Sequence, residues 1–188
     1  ILHKQINFFL HYSTEQNNYL IPDFIQFSEN IPRVATQTSA TNIGFLLLAL
    51  VAARETKKLT DAQFLKHTEQ SLETIANLSR YQGHLYNWYD IQSKEVVGGN
   101  YVSSVDSANF TVGLVVLNQY LKELYTNNSK AEISLKYQAL INKCEQMLNK
   151  TDFSVFFNED MGLFRIAFND PTDKSDDLFY DVLLSEPN

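Results

Sequence analysis

The sequence contains very little cysteine: Cys144 is the one thiol among 188 residues. A single cysteine excludes a disulfide bond within the chain and a zinc site built from several thiolates. The four histidines, at positions 3, 11, 67 and 84, show none of the short spacings that zinc ligands have. The sequence therefore implies no metal ion and no organic cofactor. A reducing compartment fits, and we expect a cytoplasmic location, with the periplasm as the alternative; whether a parent protein is anchored to a membrane stays open.

Basic residues and long apolar runs are also scarce. Lys and Arg number 15 against 22 Asp and Glu, which gives a net charge of −7. Nucleic-acid binding depends on basic side chains that neutralise phosphates, so this composition argues against nucleic acid as a partner. The longest apolar run, residues 43–53, has 11 residues, whereas a membrane span needs about 20. We expect no direct membrane contact in this segment.

What the chain does contain is a repeated helical pattern. Apolar residues recur at helical spacing in five segments: 2–12, 43–55, 61–81, 110–125 and 130–148. The helices that begin near 43 and 110 are apolar on nearly all faces, whereas the third and fifth segments have one apolar face. This alternation predicts the inner and outer helices of a two-layer helical ring. A plain helical bundle is the alternative.

One stretch without helical periodicity, residues 83–109, is rich in aromatic side chains and hydrogen-bonding groups. It reads GHLYNWYDIQSKEVVGGNYVSSVDSAN. Trp88 and Tyr89 beside Asp90 suit a sugar, because a pyranose offers an apolar CH face to a ring and hydroxyls to carboxylates and amides. The alternative is structural: Trp88 anchors the core and Asp90 caps a turn.

Asp106 stands where the second all-apolar helix is expected to begin. Ser104 or Asp106 is a candidate N-cap for that helix, a role that contributes about 1 kcal/mol. The functional interpretation is a carboxylate that points into a cleft and binds sugar hydroxyls or a water. Composition and spacing leave both interpretations of Asp106 open.

The C-terminal part holds a second group of acidic residues. Apolar segments near 153–168 predict a small β-hairpin, and residues 178–186 predict a further helix that carries Asp181 and Glu186. A solvated, acidic helix start is the simple explanation. Glu186, however, follows three apolar residues, so we expect it to lie on a partly buried helix. Glycoside hydrolysis needs two carboxyl groups across the scissile bond, and Glu186 is a candidate for one of them.

Five segments of the chain form an ordered set of motifs. They are PRVA at 32–35, TSATNIG at 38–44, RYQGHLYNWYD at 80–90, YVSSVDSAN at 101–109 and LFYDVLLSE at 178–186. The set resembles the glucoamylase-like region of cyclic β-1,2-glucan synthases, and related domains stand alone as endo-β-1,2-glucanases. The resemblance extends from about residue 20 to residue 186, and the length of its two central motifs makes it specific.

The resemblance implies a fold, a ligand and a set of site residues. The fold is mainly α-helical, an (α/α)6 toroid. The ligand is a β-1,2-glucan, and the reaction is cleavage or transglycosylation, by which the synthases close a linear glucan into a ring. Glu186 matches a carboxylate that acts in catalysis and Asp106 one that lines the cleft, and both are catalytic candidates. The matched positions on the cleft side, expected to bind substrate, are Trp88, Tyr89, Asp90, Asn109, Tyr180 and Asp181.

The resemblance also bears on domain organisation. The predicted helices supply about half of the ring, so residues 1–188 are expected to be the N-terminal portion of one glucoamylase-like domain, linked to further domains in a parent protein. The carboxylate that pairs with Glu186 would then lie downstream, and the chain alone would be inactive. Two alternatives stay open: a noncatalytic carbohydrate-binding or scaffold module of a multidomain glycosyltransferase, and a helical protein-interaction domain.

Overall fold

A computed structural model describes residues 2–27, 31–169, 174–175 and 179 of the chain. The described part contains five α-helices: α1 (Leu2–Tyr12), α2 (Ala40–Glu55), α3 (Asp61–Ala76), α4 (Ser104–Asn127) and α5 (Ala131–Leu148). The helices predicted between residues 2 and 148 are all present, so the prediction of a mainly helical chain is confirmed. None of the described helices is both long enough and apolar enough to cross a bilayer.

Two helices, α2 and α4, touch through their backbones. A Cβ atom on Gly113 of α4 would lie 2.4 Å from the carbonyl oxygen of Gly44 on α2. A Cβ atom on Gly44 would lie 2.5 Å from the carbonyl oxygen of Asn109. Real Cβ atoms do not approach backbone so closely, so this helix crossing requires glycine at both positions.

The same two helices run in parallel. Near their N-terminal ends, Thr41 of α2 donates a hydrogen bond to Asp106 of α4. Near the other end, Arg54 of α2 donates to the hydroxyl of Tyr120 on α4. The first turns of both helices therefore lie at the same end of the molecule.

Helices α3 and α5 form a second layer behind this pair. The ring of Phe64 on α3 packs edge-on against Tyr120 of α4, with 5.8 Å between the ring centroids. Helix α5 packs against both α4 and α3. The side chains of α4 that face this layer are fully buried: Leu114, Leu117 and Leu121. Within the described residues, α2 and α4 are the inner helices and α3 and α5 the outer helices of the predicted arrangement.

The opposite side of the α2–α4 pair is apolar but exposed among the described residues. Phe45 is 48% exposed, and Val112, Val115 and Val116 are 57%, 48% and 40% exposed. With about 3.6 residues per helical turn, Phe45 lies on the same side of the pair as Val112 and Val116. We call these four residues the inner face. Helices that are apolar all round are normally buried all round, so the inner face has the composition of a buried surface.

The strands in the described part are short, two or three residues each. They are β1 (Ile25–Gln26), β2 (Arg33–Val34), β3 (Gln37–Ser39), β4 (Arg80–Tyr81), β5 (His84–Leu85), β6 (Trp88–Asp90), β7 (Tyr101–Ser103), β8 (Phe157–Asn158), β9 (Leu163–Phe164), β10 (Ala167–Asn169) and β11 (Lys174–Ser175). Strand β1 pairs with β2, β4 with β5 and β8 with β9, while β10 lies between β7 and β11.

Two of these pairings position the segments that lead into the inner helices. Strand β3, directly before α2, pairs antiparallel with β6, so that Ser39 lies opposite Trp88. Strand β7, directly before α4, pairs antiparallel with β10, so that Ser103 lies opposite Ala167. The 83–109 stretch is therefore held at the N-terminal ends of both α2 and α4.

Several boundaries differ from those that the sequence predicts. Helix α3 ends at Ala76 instead of near residue 81, because β4 and β5 form a hairpin around Gly83, whose φ is +86°. In the predicted hairpin near 153–168, Phe153–Phe156 is a 3-10 helix and only β8 and β9 pair as a hairpin. The helix predicted over 178–186 lies outside the described residues, apart from Phe179 in an isolated β-bridge.

Candidate functional site

The first turns of α2 and α4 carry the candidate site. The Ser39 hydroxyl accepts a hydrogen bond from the backbone N–H of Asn42 at 3.1 Å. The Ser103 hydroxyl accepts one from the backbone N–H of Asp106 at 3.2 Å. Both serines are N-caps. The prediction that Ser104 or Asp106 caps α4 is therefore wrong, and the Asp106 carboxylate is left for other contacts.

Asp106 is the centre of a network of half-buried polar side chains. The Thr41 hydroxyl donates to Asp106 Oδ1 at 2.5 Å. The Asn87 side-chain amide, oriented with its nitrogen toward the carboxylate, donates to Asp106 Oδ2 at 3.0 Å. Asn109 Nδ2 donates to the Thr41 hydroxyl oxygen at 3.0 Å. Each oxygen of the Asp106 carboxylate accepts a bond from a neutral donor and keeps capacity for another.

Trp88 joins the same network through Asn87. The indole Nε1–H of Trp88 donates to the side-chain oxygen of Asn87 at 2.9 Å. The indole is half-buried, and a Cβ atom on Gly98 would lie 3.6 Å from its Cδ1 atom. Three residues predicted for the site, Trp88, Asp106 and Asn109, therefore lie in one connected cluster. Their contact with a substrate stays a prediction.

The sequence did not single out Thr41, Asn42 or Asp23, which also lie in this region. Asn42 Nδ2 donates to Asp23 Oδ1 at 2.7 Å, between half-buried side chains. Thr41 and Asn42 fall within the TSATNIG motif, so the motif was a usable signal for them. Asp23 lies in an irregular stretch, and only the tertiary fold reveals its proximity to α2.

Tyr89 requires a correction. Its side chain is 0% exposed, and its hydroxyl donates to the Ser79 carbonyl at 2.5 Å and accepts from the Tyr86 N–H at 2.7 Å. Burial raises the pKa of this hydroxyl above its ordinary value. A side chain with no exposed surface cannot stack on a sugar, so the structure gives Tyr89 a role in the core instead of the predicted role in substrate binding.

Asp90 is engaged in a turn. Its Oδ1 atom accepts backbone N–H bonds from Gln92 at 2.9 Å and from Ser93 at 2.8 Å. The bond from the Ser93 N–H is the main cause that lowers the pKa of Asp90. The structure thus favours the structural alternative, a turn cap. Asp90 points to the same side of β6 as Trp88, and its contact with a substrate stays a prediction.

The remaining predicted site residues, Tyr180, Asp181 and Glu186, lie outside the described residues. Their predicted roles therefore stay predictions.

Two further titratable side chains, those of Cys144 and His84, are buried in the core. Burial raises the pKa of the Cys144 thiol to about 12. His84 is buried, its Nε2 lies 2.8 Å from the Asp152 carbonyl oxygen, and burial lowers its pKa. The described residues hold no group of three or more His, Cys, Asp or Glu side chains that could bind a metal ion.

The chain is similar in sequence to a named glucan synthase. No model of a protein family matches it. The cyclic β-(1,2)-glucan synthase NdvB from Rhizobium meliloti (strain 1021) is 34% identical over 123 residues, which are 65% of this chain and 4% of that protein. The resemblance carried by the sequence motifs is therefore confirmed.

Two solved β-1,2-glucanases share the fold. The endo-β-1,2-glucanase from Chitinophaga pinensis, in complex with sophorotriose and glucose, aligns with a TM-score of 0.73 at 16% identity, over 92% of this chain and 40% of that chain. The β-1,2-glucanase from Parabacteroides distasonis aligns with a TM-score of 0.63 at 14% identity, over 73% and 19%. These likenesses confirm the predicted fold class, a mainly helical part of an α/α toroid. The chain spans less than half the length of each of these three relatives.

Proposed function

We propose that this chain is the N-terminal portion of a single α/α-toroid domain that acts on β-1,2-glucan within a larger protein. The reaction is glycoside hydrolysis or transglycosylation, and transglycosylation includes closure of a linear glucan into a ring. The named relatives support this proposal, since one is a cyclic β-1,2-glucan synthase and two are β-1,2-glucanases.

The observation that carries the proposal is the cluster of Trp88, Asn87, Asp106, Thr41 and Asn109 at one end of the inner helices. An indole face suits the CH groups of a glucose ring, and carboxylates and amides suit its hydroxyls. All five side chains are half-buried, so they combine a fixed position with some exposed surface.

In this proposal Asp106 orients a sugar hydroxyl or a water through the free acceptor capacity of its carboxylate. Glu186 acts as nucleophile or as general acid/base. Cleavage requires that one carboxylic acid gives its proton to the leaving glycosidic oxygen while a second carboxylate attacks the anomeric carbon or activates water there. In transglycosylation a sugar hydroxyl replaces that water. We place the second carboxylate in the part of the domain downstream of this chain.

The inner face supports the proposal of a larger domain. Phe45, Val112, Val115 and Val116 are between 40% and 57% exposed. In a closed ring of helix pairs this side of the inner helices faces the inner helices of the other half. The similar glucanase from Chitinophaga pinensis has more than twice the length that this chain aligns with, which leaves enough chain for such a half.

The test is to incubate the whole protein with linear β-1,2-glucan and to separate shorter and cyclic products by chromatography and mass spectrometry. We expect turnover, and a loss of about 100-fold in kcat for Asp106→Asn, by analogy with the removal of one polar group from a catalytic site. Glu186→Gln should abolish turnover and retain glucan binding. The matched control is Glu123→Gln, an exposed acid near the other end of α4.

Two results would redirect the proposal. Glucan binding without turnover in the unmodified protein would identify a noncatalytic carbohydrate-binding or scaffold module. Absence of glucan binding, with Trp88→Ala indistinguishable from the unmodified protein, would leave a helical protein-interaction domain.

A further inference from the structure

Asn87 stands between the aromatic ring and the carboxylate of the candidate site. Its side-chain oxygen accepts from the Trp88 indole at 2.9 Å, and its side-chain nitrogen donates to Asp106 Oδ2 at 3.0 Å. We propose that Asn87 is a positioning residue that couples Trp88 to Asp106, so that a ligand on the indole alters the orientation of the carboxylate. The part of this inference that concerns glucan rests on the proposed function.

The chemistry of the three groups explains why an amide stands here. An indole N–H can only donate, and an ionised carboxylate can only accept. A side-chain amide offers one acceptor and one donor, so it satisfies both neighbours in a single orientation of its oxygen and nitrogen. An aliphatic side chain at position 87 would make neither bond. An ionised carboxylate there would accept from the indole but could not donate to Asp106.

The backbone holds Asn87 in place for this role. The Asn87 N–H donates to the Tyr101 carbonyl at 2.7 Å, and Tyr101 begins β7, which leads directly into α4 and Asp106. Trp88 follows Asn87 and is held by β3 through the pairing of β6. The amide is therefore anchored to the strand before each inner helix.

The Asp106 carboxylate is then held from both sides. Thr41 donates to Oδ1 and Asn87 to Oδ2. A carboxylate fixed at both oxygens directs its remaining acceptor capacity along defined lines. Loss of Asn87 frees one oxygen and lets the carboxylate rotate about the bond to Thr41. We expect a lower kcat with a smaller change in KM, because orientation matters most in the transition state.

The decisive experiment follows the indole N–H resonance of Trp88 by 1H–15N NMR in the whole protein. The resonance is identified by its disappearance in Trp88→Phe. We expect Asp106→Asn to shift this resonance when Asn87 is present and to leave it unchanged in the Asn87→Ala background. Asn87→Ala should also speed exchange of the indole proton with solvent about fivefold, as expected for loss of one hydrogen bond. Asn142→Ala, at an exposed site on α5, is the control and should change neither quantity.

A second variant keeps the test valid if Asn87→Ala fails to fold. Asn87→Leu is close to asparagine in size and can make neither bond, so the effect of Asp106→Asn on the indole resonance should again vanish. The coupling is refuted if Asp106→Asn shifts the resonance equally with and without Asn87, or leaves it unchanged in both. These measurements are made in the absence of glucan. A coupling that is present in a protein without glucan turnover supports this inference and contradicts the proposed function.

Discussion

The two ends of the α2–α4 pair are joined by different chemistry. At the N-terminal end, the hydroxyl of Thr41 and the amide of Asn87 bind the carboxylate of Asp106. At the C-terminal end, the guanidinium of Arg54 donates to the Tyr120 hydroxyl at 2.6 Å and lies 3.0 Å from the Asp61 carboxylate.

The C-terminal end is a closed structural contact. The Arg54 guanidinium also lies over the ring of Phe64, 5.8 Å from its centroid, so its charge meets a carboxylate and an aromatic face. At the other end, the donors that the described residues offer to Asp106 are neutral. Both ends hold the helices together, but Asp106 at the N-terminal end is bound by neutral donors, whereas Asp61 at the C-terminal end is paired with the cation of Arg54.

The largest expected effect concerns the backbone contact between α2 and α4, which lies between the two ends of the pair. Gly113→Ala places a methyl group 2.4 Å from the Gly44 carbonyl oxygen, and backbone on both sides prevents an easy adjustment. We expect a loss of about 3 kcal/mol in the free energy of unfolding, measured by urea denaturation. Gln119→Ala, at an exposed site on α4, is the control. Equal stability of the two variants would mean that α2 and α4 do not touch at Gly113.

The second-largest effect is expected when the contacts of Arg54 at the C-terminal end of the helix pair are removed. Arg54→Met leaves the Tyr120 hydroxyl and Asp61 without their cation, and we expect a loss of about 2 kcal/mol in stability. Turnover of glucan per folded molecule should not change, because Arg54 lies far along α2 from Asp106. The control is Lys122→Met, which removes an exposed ion pair with Glu145 and should cost less than about 0.5 kcal/mol. Equal costs for the two variants would show that Arg54 behaves as an ordinary surface charge.

The third prediction concerns the N-terminal end of the helix pair. There we expect a small loss of stability and a larger loss of turnover, the opposite of the result for Arg54→Met. Thr41→Val removes the hydroxyl that donates to Asp106, with a stability loss of about 1 kcal/mol or less. Turnover of linear β-1,2-glucan should fall about tenfold, since one of the two bonds that orient Asp106 is lost. Thr126→Val, at an exposed site near the end of α4, should leave turnover intact. A stability loss without a loss of turnover would make the Thr41 contact purely structural.

The smallest effect concerns pH. Burial lowers the pKa of His84, so the unfolded chain binds a proton there at a higher pH than the folded chain does. Stability should therefore fall as pH decreases below about 6.5, the ordinary pKa of histidine. His84→Gln should flatten this dependence between pH 7.5 and 5, in urea denaturation at each pH. An unchanged slope would show that the pKa of His84 does not differ between the folded and the unfolded chain.

The sequence predicted the helices well because their causes are local. Residues 43–53 are continuously apolar and form most of α2, although Phe45 in this run is 48% exposed among the described residues. The capping box at Thr60 and Gln63 fixes the start of α3. The end of α3 was missed because Gly83 and the pairing of β4 with β5 stop the helix, and neither is visible in the apolar periodicity.

The candidate site could be predicted only in part. Trp88 and Asp106 were chosen for their chemistry, and the contact between them depends on Asn87 and on the pairing of β3 with β6, which the sequence does not reveal. Tyr89 was assigned to the site for its chemistry and for its place in the RYQGHLYNWYD motif. Alternation along a strand would have corrected this, because Trp88 and Asp90 on one side of β6 require Tyr89 on the other.

We propose that Trp88 and Asp106 form one site for β-1,2-glucan. The most direct measurement is a titration of linear β-1,2-glucan, with linear β-1,3-glucan as control, that follows Trp88 fluorescence as the difference between the protein and its Trp88→Phe variant. We expect a saturable change with β-1,2-glucan alone, weakened at least about tenfold by Asp106→Asn. Fluorescence that stays constant as β-1,2-glucan is added, or that responds identically in Asp106→Asn, would contradict it.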